Sequence, residues 1–189
     1  MPAYKRLIAV VLFLGVLLAV FELSGLRDHL NLQYLHDTLV ANQLLGLVLF
    51  TLVFALGNLI QIPGWIFLAA AVLALGRTMG GVATYVAAVV TCASTFVLIR
   101  LIGGNALRQM RGRVAAATLR QLDAHPVRSV TLSRLVFQTM PALNYVLAMS
   151  GVKFRSYLLG TLLGLPLPIA LYCLFFDYLA TAFHIHVAG

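Results

Sequence analysis

The stretch from Leu44 to Gly76 decides the fold, and it reads LLGLVLFTLVFALGNLIQIPGWIFLAAAVLALG. It is apolar along its length, except for an interruption at Asn58, Gln61, Pro63 and Gly64. The part after this interruption has about twelve residues and would reach about 18 Å as a helix, short of a hydrocarbon core of about 30 Å. The stretch therefore predicts a re-entrant hairpin that enters and leaves a membrane on the same side.

A second apolar stretch, 129–152, has a similar pattern and is interrupted by Arg134, Gln138, Pro141 and Asn144. Because proline favours the first helical turn, we expect the second leg of each hairpin to begin at its proline. A helix N-terminus carries partial positive charge and unpaired N–H groups. If the hairpins enter from opposite sides, these two ends would face each other and form an anion site in an apolar setting.

Composition makes lipid the solvent of this chain. It is 62% hydrophobic and 10% charged, with a mean hydropathy of +1.00, whereas a soluble domain has about a quarter of its residues charged. This excludes a soluble enzyme, and membrane topology explains the formal charge of +8 better than nucleic-acid binding does. Cys92 and Cys173 lie in apolar runs, and the sequence shows no metal-ligand spacing and no phosphate-loop or nucleophile motif. We therefore expect neither an enzyme nor a cofactor or metal.

The predicted fold is an all-α membrane protein with three transmembrane helices, two oppositely oriented re-entrant helical hairpins resembling an inverted repeat, and interfacial amphipathic helices. Residues 1–43 would form an N-terminal transmembrane helix and an interfacial segment, with a cleavable signal peptide as the alternative for the helix. The second domain, 44–183, would contain the re-entrant segment 44–76, a span over 79–103, a basic loop over 105–128, the re-entrant segment 129–152 and a span over 156–183.

The distribution of charge sets the predicted topology. One side holds Lys5, Arg6, the arginines of the basic loop, Lys153 and Arg155, and the other side holds Arg27 and Arg77. The positive-inside rule then places the N-terminus in the cytoplasm and the C-terminus outside. The bias toward Arg, Ala, Leu and Gly is typical of a bacterial protein, so we expect a multi-pass protein of the bacterial inner membrane.

Polar residues in the apolar stretches are the candidate substrate-binding residues. Arg134 leads because a charge at membrane depth is costly and usually functional, although snorkelling to the surface is the alternative. For Arg100, near the end of its span, snorkelling is the favoured interpretation. The remaining candidates are the hairpin residues Asn58, Gln61, Pro63, Gly64, Gln138, Pro141 and Asn144. The alternative for Asn58, Gln61, Gln138 and Asn144 is that their side chains only satisfy the irregular backbone of the tips by hydrogen bonding.

Two carboxylates, Glu22 and Asp177, are candidate proton-titrating groups, since a partly buried acid has a raised pKa. Both lie near predicted outer helix ends, where an ordinary interfacial carboxylate is the alternative. Small residues at helical spacing from Gly80 to Ser94 predict close helix packing, either within the chain or in a homodimer.

Several motifs resemble the DedA superfamily, also called the VTT-domain or SNARE-associated Golgi protein family. The first is Gln61-Ile62-Pro63-Gly64, followed by Ala70, Gly76 and Gly80-Gly81. The second is Phe96-Val97-Leu98-Ile99-Arg100, which is similar to the family's aromatic-x-x-x-basic motif. The third, and the most specific, comprises Arg134, Pro141, Asn144-Tyr145, Ser150-Gly151, Gly160-Thr161, Gly164 and Pro166.

The resemblance implies two facing re-entrant helices and transport of lipid, as in eukaryotic members that resemble phospholipid scramblases. Its bacterial members are linked to recycling of a polyprenyl-phosphate carrier, to envelope integrity and to proton-dependent function. The chain departs from many of them in one respect, since neutral Asn58 and Gln61 stand where an acidic residue precedes the first hairpin's proline. This departure argues against proton coupling at that hairpin.

The leading functional hypothesis is a flippase or scramblase that moves a phosphate-bearing lipid, such as polyprenyl phosphate or a phospholipid. Its partners would be membrane lipids with anionic phosphate headgroups, and nucleic acid is not expected. A proton-coupled transporter of small solutes or ions is the first alternative. A non-transporting membrane scaffold is the second, and in that case the basic loop would matter more than Arg134.

Overall fold

A computed structural model describes residues 43–109, 113–137 and 140–182, together with Ile8, Leu12 and Val16, and most of the side chains in these ranges. These residues form helices and turns without a strand. The helices are α1 (Gln43–Leu59), α2 (Gly64–Gly103), α3 (Arg113–Ala124), α4 (Pro126–Phe137), α5 (Ala142–Met149), α6 (Phe154–Gly164) and α7 (Pro166–Ala182), with a short 3₁₀ helix (Ala106–Gln109) before α3. The all-α prediction is confirmed.

The first predicted hairpin is present as a helix, a tip and a helix. α1 ends at Leu59 and α2 begins at Gly64, immediately after Pro63. α2 is broken at Gly76, where φ is 75° and ψ is 170°. Beyond the break the helix folds back on itself, because a Cβ atom built on Gly80 would lie 2.5 Å from the carbonyl oxygen of Ala71. The part of α2 before Gly76 is therefore a separate short leg, as the sequence predicts.

The second hairpin begins three residues earlier than predicted, because Pro126 rather than Ser129 starts α4. Its second leg, α5, begins at Ala142, one residue after Pro141. The two tip prolines, Pro63 and Pro141, thus stand at the N-cap position and not inside the first turn. A turn at 150–153 leads into α6, and Leu165 separates α6 from α7 just before Pro166.

Two apolar clusters divide the core. One contains Phe54, Leu68 and Ala88 and joins the first hairpin to α7. The other contains Phe96, Val130 and Tyr157 and joins the second hairpin to the end of α2 and to α6. Each hairpin therefore packs on one part of α2 and on one of the two C-terminal helices, so that the two tips meet between the clusters.

Two stretches, Gly64–Gly103 and Phe154–Ala182, are long and apolar enough to cross a membrane by length and composition. The predicted N-terminal helix and the interfacial segment fall outside the described ranges, apart from Ile8, Leu12 and Val16, which are helical and exposed. Three spans and opposite entry of the hairpins stay predictions, as does the division into 1–43 and 44–183. The small-residue face of α2 packs internally at Gly80, Thr84, Ala87 and Thr91, which are buried.

Candidate functional site

Arg134 lies in the last turn of α4 and is buried, with 1% of its surface exposed. Glycines on α6 bring the two helices together here. A Cβ atom on Gly164 would lie 2.6 Å from Cβ of Arg134, and one on Gly160 would lie 2.6 Å from Cβ of Val130. This close approach directs the guanidinium into the protein, so Arg134 does not snorkel to the surface.

Within the described part of the chain, the hydrogen-bond partners of Arg134 are all neutral. Its Nη2 donates to Oδ1 of Asn144 at 2.6 Å and to the Tyr157 hydroxyl at 2.7 Å, while its Nε lies 3.4 Å from Oγ1 of Thr161. The guanidinium carbon also lies 5.3 Å from the centre of the Tyr157 ring. Among the described residues, none of these contacts is with a carboxylate, so the positive charge has hydrogen bonds but no counter-ion.

Asn144 extends this network to the first hairpin. Its Nδ2 donates to Oδ1 of Asn58 at 2.9 Å, and the neighbouring Tyr145 hydroxyl donates to the carbonyl of Leu59 at 2.8 Å. Tyr157 completes the network, because its hydroxyl lies 3.0 Å from the carbonyl of Cys92. The network thus links α1, α2, α4, α5 and α6 through groups that apolar surroundings separate from solvent.

A small cavity of about 20 Å³ lies beside this network. Both tips reach it, through Gly64 from the first hairpin and Met140 from the second, and Asn58, Arg134 and Asn144 also line it. Thr84 lines it too, with a buried hydroxyl that has no hydrogen-bond partner in the described part of the chain. The volume is sufficient for about one water molecule. The site therefore holds a cation, amide groups and a hydroxyl without a described partner around a small cavity.

The first tip ends α1 with a Schellman motif. The Ile62 N–H bonds to the Gly57 carbonyl at 2.8 Å, and the Gln61 N–H bonds to the Asn58 carbonyl at 3.3 Å. Gln61 is in the left-handed region with φ of 68°, at the position that glycine usually occupies. This turn places Asn58 at the end of α1, facing the second hairpin.

The remaining predicted residues lie elsewhere or outside the described ranges. Arg100 is not in the network: its Nη1 donates to Asn105 at 2.8 Å and its Nη2 to the Val152 carbonyl at 2.6 Å, which anchors the turn after α5. Asp177 accepts a 3.3 Å bond from Arg77 at an exposed position and is not close enough to pair with Arg134. Gln138 and Glu22 are outside the described residues.

The sequence was compared with families of known proteins. The family model described as the VTT domain matches residues 62–178, which is more than half of the chain. The chain belongs to the VTT-domain family. No curated protein and no solved structure matches it. VTT-domain proteins are membrane proteins, which agrees with the two apolar stretches above, and the family assignment confirms the resemblance drawn from the motifs.

In this VTT-domain protein, sequence reasoning did not identify two groups of the site, Tyr157 and Thr84. Tyr157 is on the same face of α6 as Thr161 and Gly164, and that spacing is the signal that could have indicated it. Thr84 appeared only as one of the small packing residues. Thr84 carries no charge and does not stand at a helix break, so nothing in the sequence alone separates it from ordinary packing residues.

Proposed function

We propose that this VTT-domain protein is a lipid transporter and not an enzyme, and that it moves a phosphate-bearing lipid across the bilayer. One observation carries the proposal: the buried charge of Arg134 has neutral partners and lies beside a cavity between the two hairpin tips. Burying a cation without a counter-ion in an apolar medium costs free energy, and an anion that enters the site would lower that cost.

The chemistry of the lining suits a phosphate group. A guanidinium presents several N–H donors in a plane and pairs well with phosphate oxygens. The side-chain amides of Asn58 and Asn144 and the Thr84 hydroxyl supply further donors around the same space. The legs that start after Pro63 and Pro141 add the positive ends of two helices. A lipid whose phosphate passes here could keep its chains in the surrounding apolar environment.

The cavity is too small for a phosphate in this conformation, since about 20 Å³ accommodates roughly one water molecule. Transport therefore requires the two tips to separate, which breaks the bond between Asn144 and Asn58 and the bond between Tyr145 and Leu59. Each bond contributes about 1 kcal/mol net when water takes the place of the lost partner, so opening is accessible if water or the lipid headgroup satisfies the freed groups. The bilayer would then supply the lipid through the gap.

The direct test is lipid movement in vesicles that contain the purified full-length protein. Fluorescent phosphatidylglycerol, or a fluorescent polyprenyl phosphate, is placed in both leaflets, and the outer pool is bleached by dithionite. Arg134→Gln should slow movement of the inner pool at least tenfold, whereas Arg155→Gln, the matched loss of an exposed arginine, should stay within twofold. Circular dichroism would verify that both variants fold. A folded Arg134→Gln protein with wild-type rates would refute the proposal.

A small-anion transporter is the second candidate, because the cavity fits a particle about the size of a water molecule. The same vesicles distinguish the two functions when they contain a chloride-sensitive dye. Flux of a soluble anion that depends on Arg134, without lipid movement, would favour this candidate. A pH series in the same assay would test coupling to protons.

A further inference from the structure

An open groove of about 650 Å³ lies on the far side of the second hairpin from Arg134. Its walls come from α3, α4 and α5, and they are apolar along most of their length, as at Leu119, Leu132, Phe137, Leu143 and Val146. α4 has two different faces here: Val130 and Arg134 are buried toward α6, while Leu132 and Phe137 are exposed in the groove.

The groove has one charged end. Arg128 lines it near the start of α4 and is exposed, and no described residue forms a hydrogen bond or ion pair with its guanidinium. From Arg128 to Phe137 the helix rises about 14 Å. The hydroxyls of Ser129 and Ser133 also line the groove, but they donate to backbone carbonyls at 3.2 and 2.8 Å and so are already satisfied. Among the described residues that line the groove, Arg128 is therefore the one cation, and it stands at the end of a long apolar wall.

We infer that this groove binds one chain of an anionic phospholipid, with the phosphate at Arg128 and the acyl chain along α4 toward the hairpin tip. Charge complementarity selects this occupant, because the segment 105–128 carries five arginines and a single acid, Asp123. An arginine near the membrane surface raises the affinity for anionic lipid about fivefold. A second groove lies beside Arg77. It lacks this charge complementarity, because Arg77 already pairs with Asp177.

The proposed lipid site is independent of lipid transport, because it concerns equilibrium binding on the opposite side of α4 from the Arg134 network. At this site the second hairpin contacts the charge of the lipid headgroup. Phosphatidylcholine, which has no net charge, should therefore bind the groove less tightly than an anionic phospholipid. A resident anionic lipid would fill the gap between α3 and the hairpin and support the outer face of α4.

The test places a single tryptophan in the groove. In the full-length protein, Trp65 is replaced by phenylalanine and Leu132→Trp supplies the reporter, with Leu163→Trp on the exposed face of α6 as the reference. The protein is reconstituted in phosphatidylcholine vesicles that contain doxyl-labelled phosphatidylglycerol or doxyl-labelled phosphatidylcholine. The measured quantity is the mole fraction of labelled lipid that quenches half of the fluorescence.

At Leu132→Trp, half-quenching should need about fivefold less labelled phosphatidylglycerol than labelled phosphatidylcholine, and at Leu163→Trp the two should agree within twofold. Arg128→Gln should remove the difference, while Arg128→Lys and Arg155→Gln should retain it. If Arg128→Gln does not fold, raising the salt concentration in the Leu132→Trp protein should reduce the difference instead.

Equal quenching by the two lipids at Leu132→Trp would overturn the inference, as would a preference that survives both Arg128→Gln and high salt. Absence of quenching by either lipid would also overturn it and indicate that protein, from this chain or a second copy, covers the groove. Arg134→Gln should leave the preference unchanged, so failure of the transport proposal and failure of this one give different results.

Discussion

Asn144 donates a hydrogen bond of 2.9 Å to Asn58, and this contact joins the two hairpins through residues that are 86 positions apart in the chain. The oxygen of the same Asn144 amide accepts a bond from Arg134 at 2.6 Å. One neutral side chain therefore connects the buried charge to the opposite hairpin. If an anion must bind Arg134, the neutrality of position 144 is essential.

Replacing Asn144 by aspartate should supply Arg134 with a permanent counter-ion. We expect Asn144→Asp to slow lipid movement at least tenfold, because the carboxylate would neutralise the charge that the substrate phosphate needs. The aspartate cannot donate to Asn58, so the Asn58 amide must turn and donate to the carboxylate for the fold to keep its stability. Asn144→Ala instead leaves Arg134 and Asn58 each without a partner and should destabilise the fold by about 2 kcal/mol. Vesicle assays and chemical unfolding in detergent would measure both effects. An Asn144→Asp protein with normal transport would show that Arg134 needs no free charge.

The contact between Gly164 and Arg134 predicts a packing effect on the site. Gly164→Ala places a methyl group 2.6 Å from Cβ of Arg134, so α4 and α6 must separate and the bonds to Tyr157 and Thr161 must lengthen. We expect a loss of about 1–3 kcal/mol in the free energy of unfolding, together with slower lipid movement. Leu163→Ala, at the neighbouring exposed position, is the control for helix composition. Equal stability of the two variants would contradict the close packing described for α4 and α6.

The left-handed conformation of Gln61 predicts a stabilising substitution. A side chain costs about 1–2 kcal/mol in this region, and glycine avoids that strain. Gln61→Gly should therefore raise the free energy of unfolding by about 1 kcal/mol, while Gln61→Ala keeps a Cβ atom and should give no gain. Thermal unfolding of the two variants side by side tests this. A gain with alanine that matches the gain with glycine would argue against strain at this tip.

The exposed pair of Arg77 and Asp177 predicts a small effect on both stability and pH dependence. Their side chains are 53% and 36% exposed, and such pairs contribute about 0–1 kcal/mol. Asp177→Asn should therefore change stability by less than about 1 kcal/mol and leave the pH profile of lipid movement unaltered. A displaced profile in that variant would support the proton-titrating role that the sequence left open for Asp177.

Much of the architecture follows from the positions where apolar runs are interrupted. The breaks at Asn58 to Gly64 and at Arg134 to Pro141 predict two hairpins, and the structure shows helices that end and restart there. The residue at which each helix starts could not be predicted from the apolar pattern, because α4 begins at Pro126 and not at the first apolar residue. Three spans and the opposite entry of the hairpins stay predictions, because both depend on how the helices are oriented in the bilayer.

The sequence by itself determined that this chain needs lipid as a solvent and that Asn58, Arg134 and Asn144 need partners, because polar groups in apolar surroundings must be satisfied. Only the tertiary structure decided which partners they have. It pairs Asn144 with Asn58, gives Arg134 the hydroxyl of Tyr157, and assigns Arg100 to a turn instead of the site. These pairings depend on how closely helices that are far apart in the sequence approach each other in space. The order of residues along one helix does not specify such distances.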